Sequence, residues 1–212
     1  MRITVFGAAG DVGSRVVAEA VARGHKVTAV GRNPARLADS PVGVIVRQGD
    51  ARNVEDVASL SAGQDLVISA TRPVPGSEHE LAIAAKGLLA GAAASGVRLL
   101  VVGGASSLFI PDSPGTTVVD APGFPDDLRP IALACSEQLD VFRADAAVDW
   151  TYLSPPALLE PGERTGRFRL GRDELIVDTA GNSSISMEDL AIALLDEAER
   201  PQHPRTRFTI GY

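Results

Sequence analysis

The sequence predicts an α/β fold in which helices cover both faces of a doubly wound, parallel β-sheet. Short runs of β-branched residues alternate with helical patterns along the chain, which is typical of strand–helix–strand units joined by right-handed crossovers. These runs are continuously apolar, as expected of strands that are covered on both faces. A length of 212 residues with 45% hydrophobic content suits one globular domain. We therefore predict a single domain over 1–212, with halves at 1–102 and 103–212.

The first half is predicted to contain five strands and the helices that connect them. A long helical pattern from Leu81 to Ala92 precedes the fifth strand, because its apolar residues recur at the spacing of one helix face. The predicted strands lie at residues 2–6, 26–30, 42–46, 66–69 and 97–102.

The amino-acid composition changes where the second half begins. Residues 103–130 contain five prolines, four glycines and four aspartates, so we expect a functional flap or a mobile segment rather than a simple connection. Loop-rich structure is also expected on the substrate side of the C-terminal region. The remaining predictions are a helix with Ile131 to Phe142 on one face, a strand at 149–153, a hairpin of 167–170 with 175–177, a helix capped by Ser186 and a strand at 207–210.

A glycine-rich turn follows the first strand and opens the first helix. Gly7 permits the tight turn, Gly10 lets the backbone approach a pyrophosphate, and Gly13 lets helix and strand pack closely. A diphosphate would bind at the helix N-terminus, where free N–H groups and the helix dipole favour anions. The sequence therefore predicts a Rossmann-type dinucleotide site, with Ala9, Asp11 and Val12 completing the loop.

The end of the second strand predicts NADP(H) in preference to NAD(H). NAD-selective folds carry an acidic residue about 20 positions past the glycine loop, where it binds the ribose 2′-hydroxyl. Arg32 stands there instead, and Arg36 follows one helical turn later, with Asn33 between them. Arginine pairs with a 2′-phosphate through charge-assisted hydrogen bonds. The alternative is that both arginines are solvated residues of a surface loop.

Two further strand ends supply candidate cofactor contacts. Asp50 and Ala51 close the third strand, where the carboxylate and the following N–H could bind the adenine edge. Asp50 could equally cap the helix that starts near Asn53. Ala70, Thr71 and Arg72 follow the fourth strand, and we expect them beneath the pyrophosphate and the nicotinamide ribose. Arg72 could anchor a phosphate or substrate, or be an exposed loop residue.

Along its whole length the chain resembles the atypical short-chain dehydrogenases/reductases, in particular the biliverdin-IXβ/flavin reductase type and the NmrA-like proteins. The first-half segments are those of the superfamily, and the second-half segments indicate this subgroup. The resemblance is carried by residues 7–13, 31–34, 49–51, 103–108, 149–151, Pro155 with Pro156, 185–190 and 208–212.

The resemblance implies hydride transfer from NADPH to a flavin- or quinone-like acceptor. Ser106, with Ser107 close behind, matches the strand-end hydroxyl that positions the substrate, and Pro155 would lie near the nicotinamide. Residues 109–124 would cover the acceptor. The Ser106 hydroxyl could instead satisfy local backbone groups. The helix before the sixth strand lacks the superfamily's Tyr-x-x-x-Lys pair, so ordinary carbonyl reduction would lack its acid.

The sequence leaves two other functions open. A non-catalytic NmrA-like sensor or regulator would share the cofactor site but show no turnover. An epimerase or isomerase of the extended group is disfavoured by the missing Tyr/Lys pair.

Composition excludes several other classes. The net charge of −7 disfavours nucleic acid, whose binding depends on clustered Lys and Arg. No apolar run approaches the roughly 20 residues that cross a bilayer, and no signal-peptide pattern precedes the first strand. Cys135 is the single cysteine, without an adjacent base to activate it, and the three histidines show no metal-ligand spacing. We expect a cytoplasmic monomer or small homo-oligomer with no metal.

Overall fold

The computed structural model describes residues 1–212 as ten β-strands and five α-helices. In chain order these are β1 (Arg2–Phe6), α1 (Asp11–Ala22), β2 (Lys26–Gly31), β3 (Ile45–Gln48), α2 (Val54–Ser61), β4 (Leu66–Ser69), α3 (Glu80–Ser95), β5 (Arg98–Val102), α4 (Arg129–Ala144), β6 (Trp150–Ser154), β7 (Leu158–Glu160), β8 (Arg169–Gly171), β9 (Ser184–Ser186), α5 (Met187–Glu199) and β10 (Thr206–Gly211).

Eight strands form one sheet in the order β3-β2-β1-β4-β5-β6-β10-β8, and every pair is parallel except β10 with β8. The predicted parallel sheet is therefore confirmed. The chain runs outward from β1 to β3 and then returns to continue from β4 on the other side. Such a reversal leaves a crevice at the carboxyl ends of the flanking strands, where ligands bind in doubly wound sheets.

Helices cover both faces of this sheet. One apolar cluster joins the sheet to α1 and α5, and a second joins the other face to α2, α3 and α4. Every residue of β4 and of β6 is buried. This burial explains why the strands appear in the sequence as continuous apolar runs rather than as alternating patterns.

The predicted third strand was placed too early. Val42 is fully exposed, and β3 begins only at Ile45. Gly43 adopts a φ of +90°, and the amide of Val44 donates to the carbonyl of Pro41 over 3.2 Å. A turn therefore occupies the start of this apolar run and delays the strand.

The predicted hairpin of 167–170 with 175–177 is wrong. β8 pairs instead with the edge of β10, and the backbone of Phe109 bonds to residues on the far side of Gly171. The Phe109 amide donates to the Asp173 carbonyl, and the Leu175 amide donates to the Phe109 carbonyl, each over 2.8 Å. Long-range pairing thus replaces the local one. The small β7–β9 sheet was not predicted, because three-residue strands leave no periodic signal.

Helix caps agree with the prediction in one case and differ in another. The Ser186 hydroxyl accepts from the Asp189 amide over 3.0 Å, as predicted for α5. Asn53, not Asp50, caps α2 by accepting from the Asp56 amide over 2.8 Å. The Asp50 carboxylate accepts from Arg52 instead. The backbone amide of Asp50 donates to the Asp56 carboxylate.

Residues 103–130 are mostly irregular, as predicted, but the segment packs against the rest of the domain. Leu108 is fully buried, and its carbonyl accepts from the Val118 amide over 2.9 Å. At its start, a Cβ on Gly103 would lie 1.8 Å from Cζ of Tyr152, and one on Gly104 would lie 2.7 Å from Cβ of Cys135. The two glycines therefore let the segment cross closely over β6 and α4.

Candidate functional site

A cavity of about 620 Å³ opens at the carboxyl ends of β1, β2, β3 and β4. It lies at the point where the strand order reverses, and the start of α3 forms one of its walls. Most of the residues that the sequence predicted as cofactor contacts are brought together in its wall. These are Gly7, Ala9, Gly10, Asp11, Val12, Arg32, Asn33, Arg36, Asp50, Ala51, Ala70, Thr71 and Arg72.

The glycine loop is shaped by two close backbone approaches. Gly7 adopts a φ of +78°, and a Cβ there would lie 2.5 Å from the carbonyl oxygen of Ala70. Gly13 lies outside the cavity wall and is packed beneath the loop, where a Cβ would lie 2.1 Å from the Gly7 carbonyl oxygen. A side chain at either position would push the loop out of place. Gly10 is less crowded, with 3.3 Å between a built Cβ and the Gly7 carbonyl oxygen.

The N-terminus of α1 is uncapped and faces the cavity. Its N-cap is Gly10, which has no side chain to accept a hydrogen bond, whereas α2 and α5 are capped by Asn53 and Ser186. The first N–H groups of a helix have no partner within the helix. Those of Asp11 and Val12 are therefore available to an anion in the cavity. This cradle fits the diphosphate of a dinucleotide.

The end of the cavity nearest β2 carries positive charge. The Arg32 side chain is 52% exposed, and its Nη1 lies 3.7 Å from Oε2 of Glu80. Arg36 is also exposed, on the short 3₁₀ turn that follows. Asn33 accepts from the Ala35 amide over 3.1 Å, so its side chain shapes this turn. These residues can present two guanidinium groups to a phosphate.

Asp50 belongs to an ion cluster on the adjoining wall. Both of its carboxylate oxygens accept from Arg52, with Nε of Arg52 at 2.9 and 3.0 Å. The hydrogen bonds from Arg52 lower the pKa of the Asp50 carboxyl below its ordinary value. Nη1 of Arg52 bonds to Oε1 of Glu80. Arg52 and Glu80 were missed at the sequence level because they are 28 positions apart and only the fold brings them together.

The opposite end of the cavity is built from β4 and the second half of the chain. The hydroxyls of Ser69 and Thr71 lie 3.1 Å apart, and Arg72 is exposed. Leu159 and Met187 complete the wall, although the sequence gave no signal for them. Pro155 is buried at the end of β6 and lies outside the wall.

Ser106 is buried and does not contribute to the wall of the cavity. Its hydroxyl lies 2.9 Å from the hydroxyl of Ser136 on α4. Ser107 accepts from the buried guanidinium of Arg207 over 2.8 Å. No residue of 103–130 reaches the cavity wall. Residues 109–115 instead face 169–177 across a separate depression of about 830 Å³.

No residue of α4 supplies the usual phenol and ammonium pair, since the helix contains neither tyrosine nor lysine. Tyr152 does not replace it, because its hydroxyl donates to Oε1 of Gln138 over 3.0 Å and burial raises its pKa. Burial also raises the pKa of the Cys135 thiol to about 11, which keeps this thiol protonated at neutral pH.

Two other kinds of site have no candidate in the structure. None of the five helices is long and apolar enough to cross a membrane. No group of three or more His, Cys, Asp or Glu side chains is arranged to hold a metal ion.

Comparison with known proteins agrees with this geometry. The model of a family described as NAD(P)H-binding matches residues 7–201. The chain shares 43% identity with a structure from Burkholderia pseudomallei named "putative exported protein", over all of both chains, with a TM-score of 0.90. It shares 40% identity with a "putative epimerase" from Bacteroides thetaiotaomicron, over 100% of this chain and 96% of that one, with a TM-score of 0.91. A "putative NADH-flavin reductase" from Streptococcus pneumoniae shares 32% identity, over 100% of this chain and 99% of that one, with a TM-score of 0.88.

Proposed function

The chain belongs to the NAD(P)H-binding family, and from this premise we propose that it is an oxidoreductase that transfers hydride from NADPH to a flavin- or quinone-like acceptor. The observation that carries the proposal is the uncapped N-terminus of α1, which faces the same cavity as Arg32 and Arg36. The glycine loop in the middle of this cavity suits a diphosphate, and the end nearest β2 suits a 2′-phosphate.

Each part of the cofactor has residues suited to hold it. The N–H groups of Asp11 and Val12 would bind the diphosphate, and Arg32 with Arg36 would bind the 2′-phosphate. The wall formed by Thr71, Met187 and their neighbours would enclose the nicotinamide end. Bound NADPH would supply a hydride, so the cofactor loses two electrons and the acceptor gains them, with one further proton taken from water.

The absence of the Tyr/Lys pair from α4 fits this class of acceptor. Reduction of an ordinary carbonyl produces an alkoxide, which needs a proton donor positioned beside it. The α4 helix offers no such donor, and the Tyr152 hydroxyl is enclosed in the core. A flavin or quinone delocalises the incoming charge and can take its proton from solvent. The name of the Streptococcus relative supports the same acceptor class.

The competing proposals make different demands on the site. An NmrA-like sensor would bind the dinucleotide without turnover. An epimerase, as the Bacteroides relative is named, would need an acid and a base beside the nicotinamide.

We also propose a cytoplasmic monomer or small homo-oligomer that acts on a small molecule. Its net charge of −7 is in keeping with a protein that binds neither nucleic acid nor membrane.

The deciding experiment is NADPH oxidation by the purified protein with FMN, riboflavin and a panel of small quinones, with NADH in parallel. Turnover that favours NADPH would support the reductase. Tight NADPH binding without turnover on any acceptor would favour the sensor. Absence of dinucleotide binding would refute both.

Replacing Arg32 by alanine should weaken NADPH binding by roughly 10- to 30-fold and change NADH binding by less than about twofold, because only NADPH carries the phosphate. The dissociation constants can be measured by quenching of the Trp150 fluorescence or by calorimetry. Arg47→Ala is the matched control, since Arg47 is an exposed residue of β3 outside the cavity. Equal losses for both cofactors would remove Arg32 from the phosphate site.

Replacing Ser106 by alanine should lower turnover by about ten- to a hundredfold if its hydroxyl positions the acceptor. NADPH affinity should stay nearly unchanged, because Ser106 lies outside the cofactor cavity. Steady-state rates and binding constants would be measured together. Unchanged turnover would leave Ser106 with the structural role that its contact with Ser136 already suggests.

A further inference from the structure

Four charged side chains in the cavity wall form a row of alternating sign. Asp50 contacts Arg52, Arg52 contacts Glu80, and Glu80 faces Arg32. All four line the cavity near the ends of β2 and β3. The row therefore connects the expected adenosine side of the site to the arginine that would bind a 2′-phosphate.

The four side chains of the row differ in the number and closeness of their ionic contacts. Arg52 holds both oxygens of Asp50 and one oxygen of Glu80. The second oxygen of Glu80 lies 3.7 Å from Arg32, which is an ion-pair distance without a hydrogen bond. The Glu80 side chain is 22% exposed, against 52% for Arg32. Glu80 is thus the fixed partner of this pair, and Arg32 is the partner that can move.

We infer that Glu80 sets how strongly the site discriminates NADPH from NADH by restraining Arg32. This inference rests on the proposed function of the cavity. A 2′-phosphate must draw the Arg32 guanidinium away from Glu80 and must itself bind near the Glu80 carboxylate. Both effects oppose NADPH, since like charges repel and the ion pair is lost. NADH has no phosphate and leaves the Arg32–Glu80 pair intact.

Asp50 does not take this role, because both of its carboxylate oxygens accept from Arg52 and only Glu80 forms an ion pair with Arg32. Arg36 lies in the same wall and forms no ion pair with a carboxylate, so it would remain available to the phosphate in either case. The NADPH preference that Arg32 and Arg36 favour is therefore limited by an acid from α3. An acid of this kind lies outside the strand-end position that usually selects the cofactor.

The test is a double-mutant cycle on binding, with NADPH and NADH as the probes. Glu80→Gln should tighten NADPH binding by roughly three- to tenfold and leave NADH binding within about twofold. In the Arg32→Ala background, Glu80→Gln should change the ratio of the two dissociation constants by a smaller factor than in the wild type, because only the repulsion between the carboxylate and the phosphate remains. Calorimetry gives both constants without any need for turnover.

Glu55→Gln is the matched control, because it removes the same charge from an exposed residue of α2 that lies outside the cavity. Its NADPH-to-NADH ratio should equal that of the wild type. A ratio unmoved by Glu80→Gln, or moved equally when Arg32 is absent, would overturn the inference. Wild-type protein that binds neither dinucleotide would refute the proposed function itself, so the two failures are distinguishable. Thermal melting confirms that each variant is folded.

Discussion

Replacing Gly13 by alanine is expected to destabilise the fold by roughly 3 kcal/mol and to abolish dinucleotide binding. The new Cβ would lie 2.1 Å from the carbonyl oxygen of Gly7, 2.8 Å from its carbonyl carbon and 3.0 Å from Cα of Ala8. All three atoms belong to the backbone, so no side-chain rotation can relieve the clash. Either α1 moves away from β1 or the glycine loop changes shape.

The two parts of this prediction need separate measurements. Urea unfolding gives the free energy of unfolding, and calorimetry with NADPH gives the affinity at a temperature where the variant is folded. Ser14→Ala is the control on the same helical turn, since Ser14 is exposed and its hydroxyl bonds only to the Asp11 carbonyl. Its unfolding free energy should change by less than about 0.5 kcal/mol. A Gly13→Ala protein that binds NADPH normally would contradict the proposed packing role.

The glycine loop shows how much of the site the sequence could predict. Gly7 and Gly13 are required by contacts between neighbouring parts of one strand–turn–helix unit, and such local contacts leave a recognisable spacing. The parallel sheet was equally predictable, because buried strands appear as apolar runs separated by helical patterns. Arg32 was placed by the same logic, since its position follows directly from the end of β2.

Contacts between distant segments could not be predicted in this way. The chain gives no local reason for Glu80 to approach Arg32, or for Leu159 and Met187 to reach the cavity that β1 opens. The hairpin prediction failed for the same reason, because local turn residues suggested one pairing while Phe109 supplied a better one. Sequence patterns thus located the glycine loop but not the distant residues that line the same cavity.

A second large effect is expected at Glu19, which fastens a loop of the second half to α1. The Glu19 carboxylate is buried and accepts from Arg164 over 2.9 Å at both oxygens and from Arg23 over 2.7 Å. In the same loop, the Gly162 amide donates to the carboxylate of Glu188 on α5 over 2.8 Å. The loop is therefore held against α1, whose N-terminus faces the cavity.

The hydrogen bonds from Arg164 and Arg23 lower the pKa of Glu19 from an ordinary 4.5 to about 2. Because the folded-state pKa is depressed, the ionised carboxylate stabilises the native state fully above about pH 4.5, and this contribution is lost as the pH falls toward 2. Allowing for the exposure of Arg164, we expect Glu19→Gln to lower the unfolding free energy by about 2 kcal/mol at pH 7.

The loss should shrink as the pH falls, because the wild-type carboxyl then becomes protonated as well. Urea unfolding from pH 7 to pH 3 would show the two stability curves converging below about pH 4.5. Glu137→Gln, at an exposed position of α4, should instead track the wild type at every pH. A Glu19→Gln deficit that stayed constant over this range would mean that shape, rather than charge, holds the loop on α1. The convergence therefore tests whether an ion cluster holds this loop of the second half against α1.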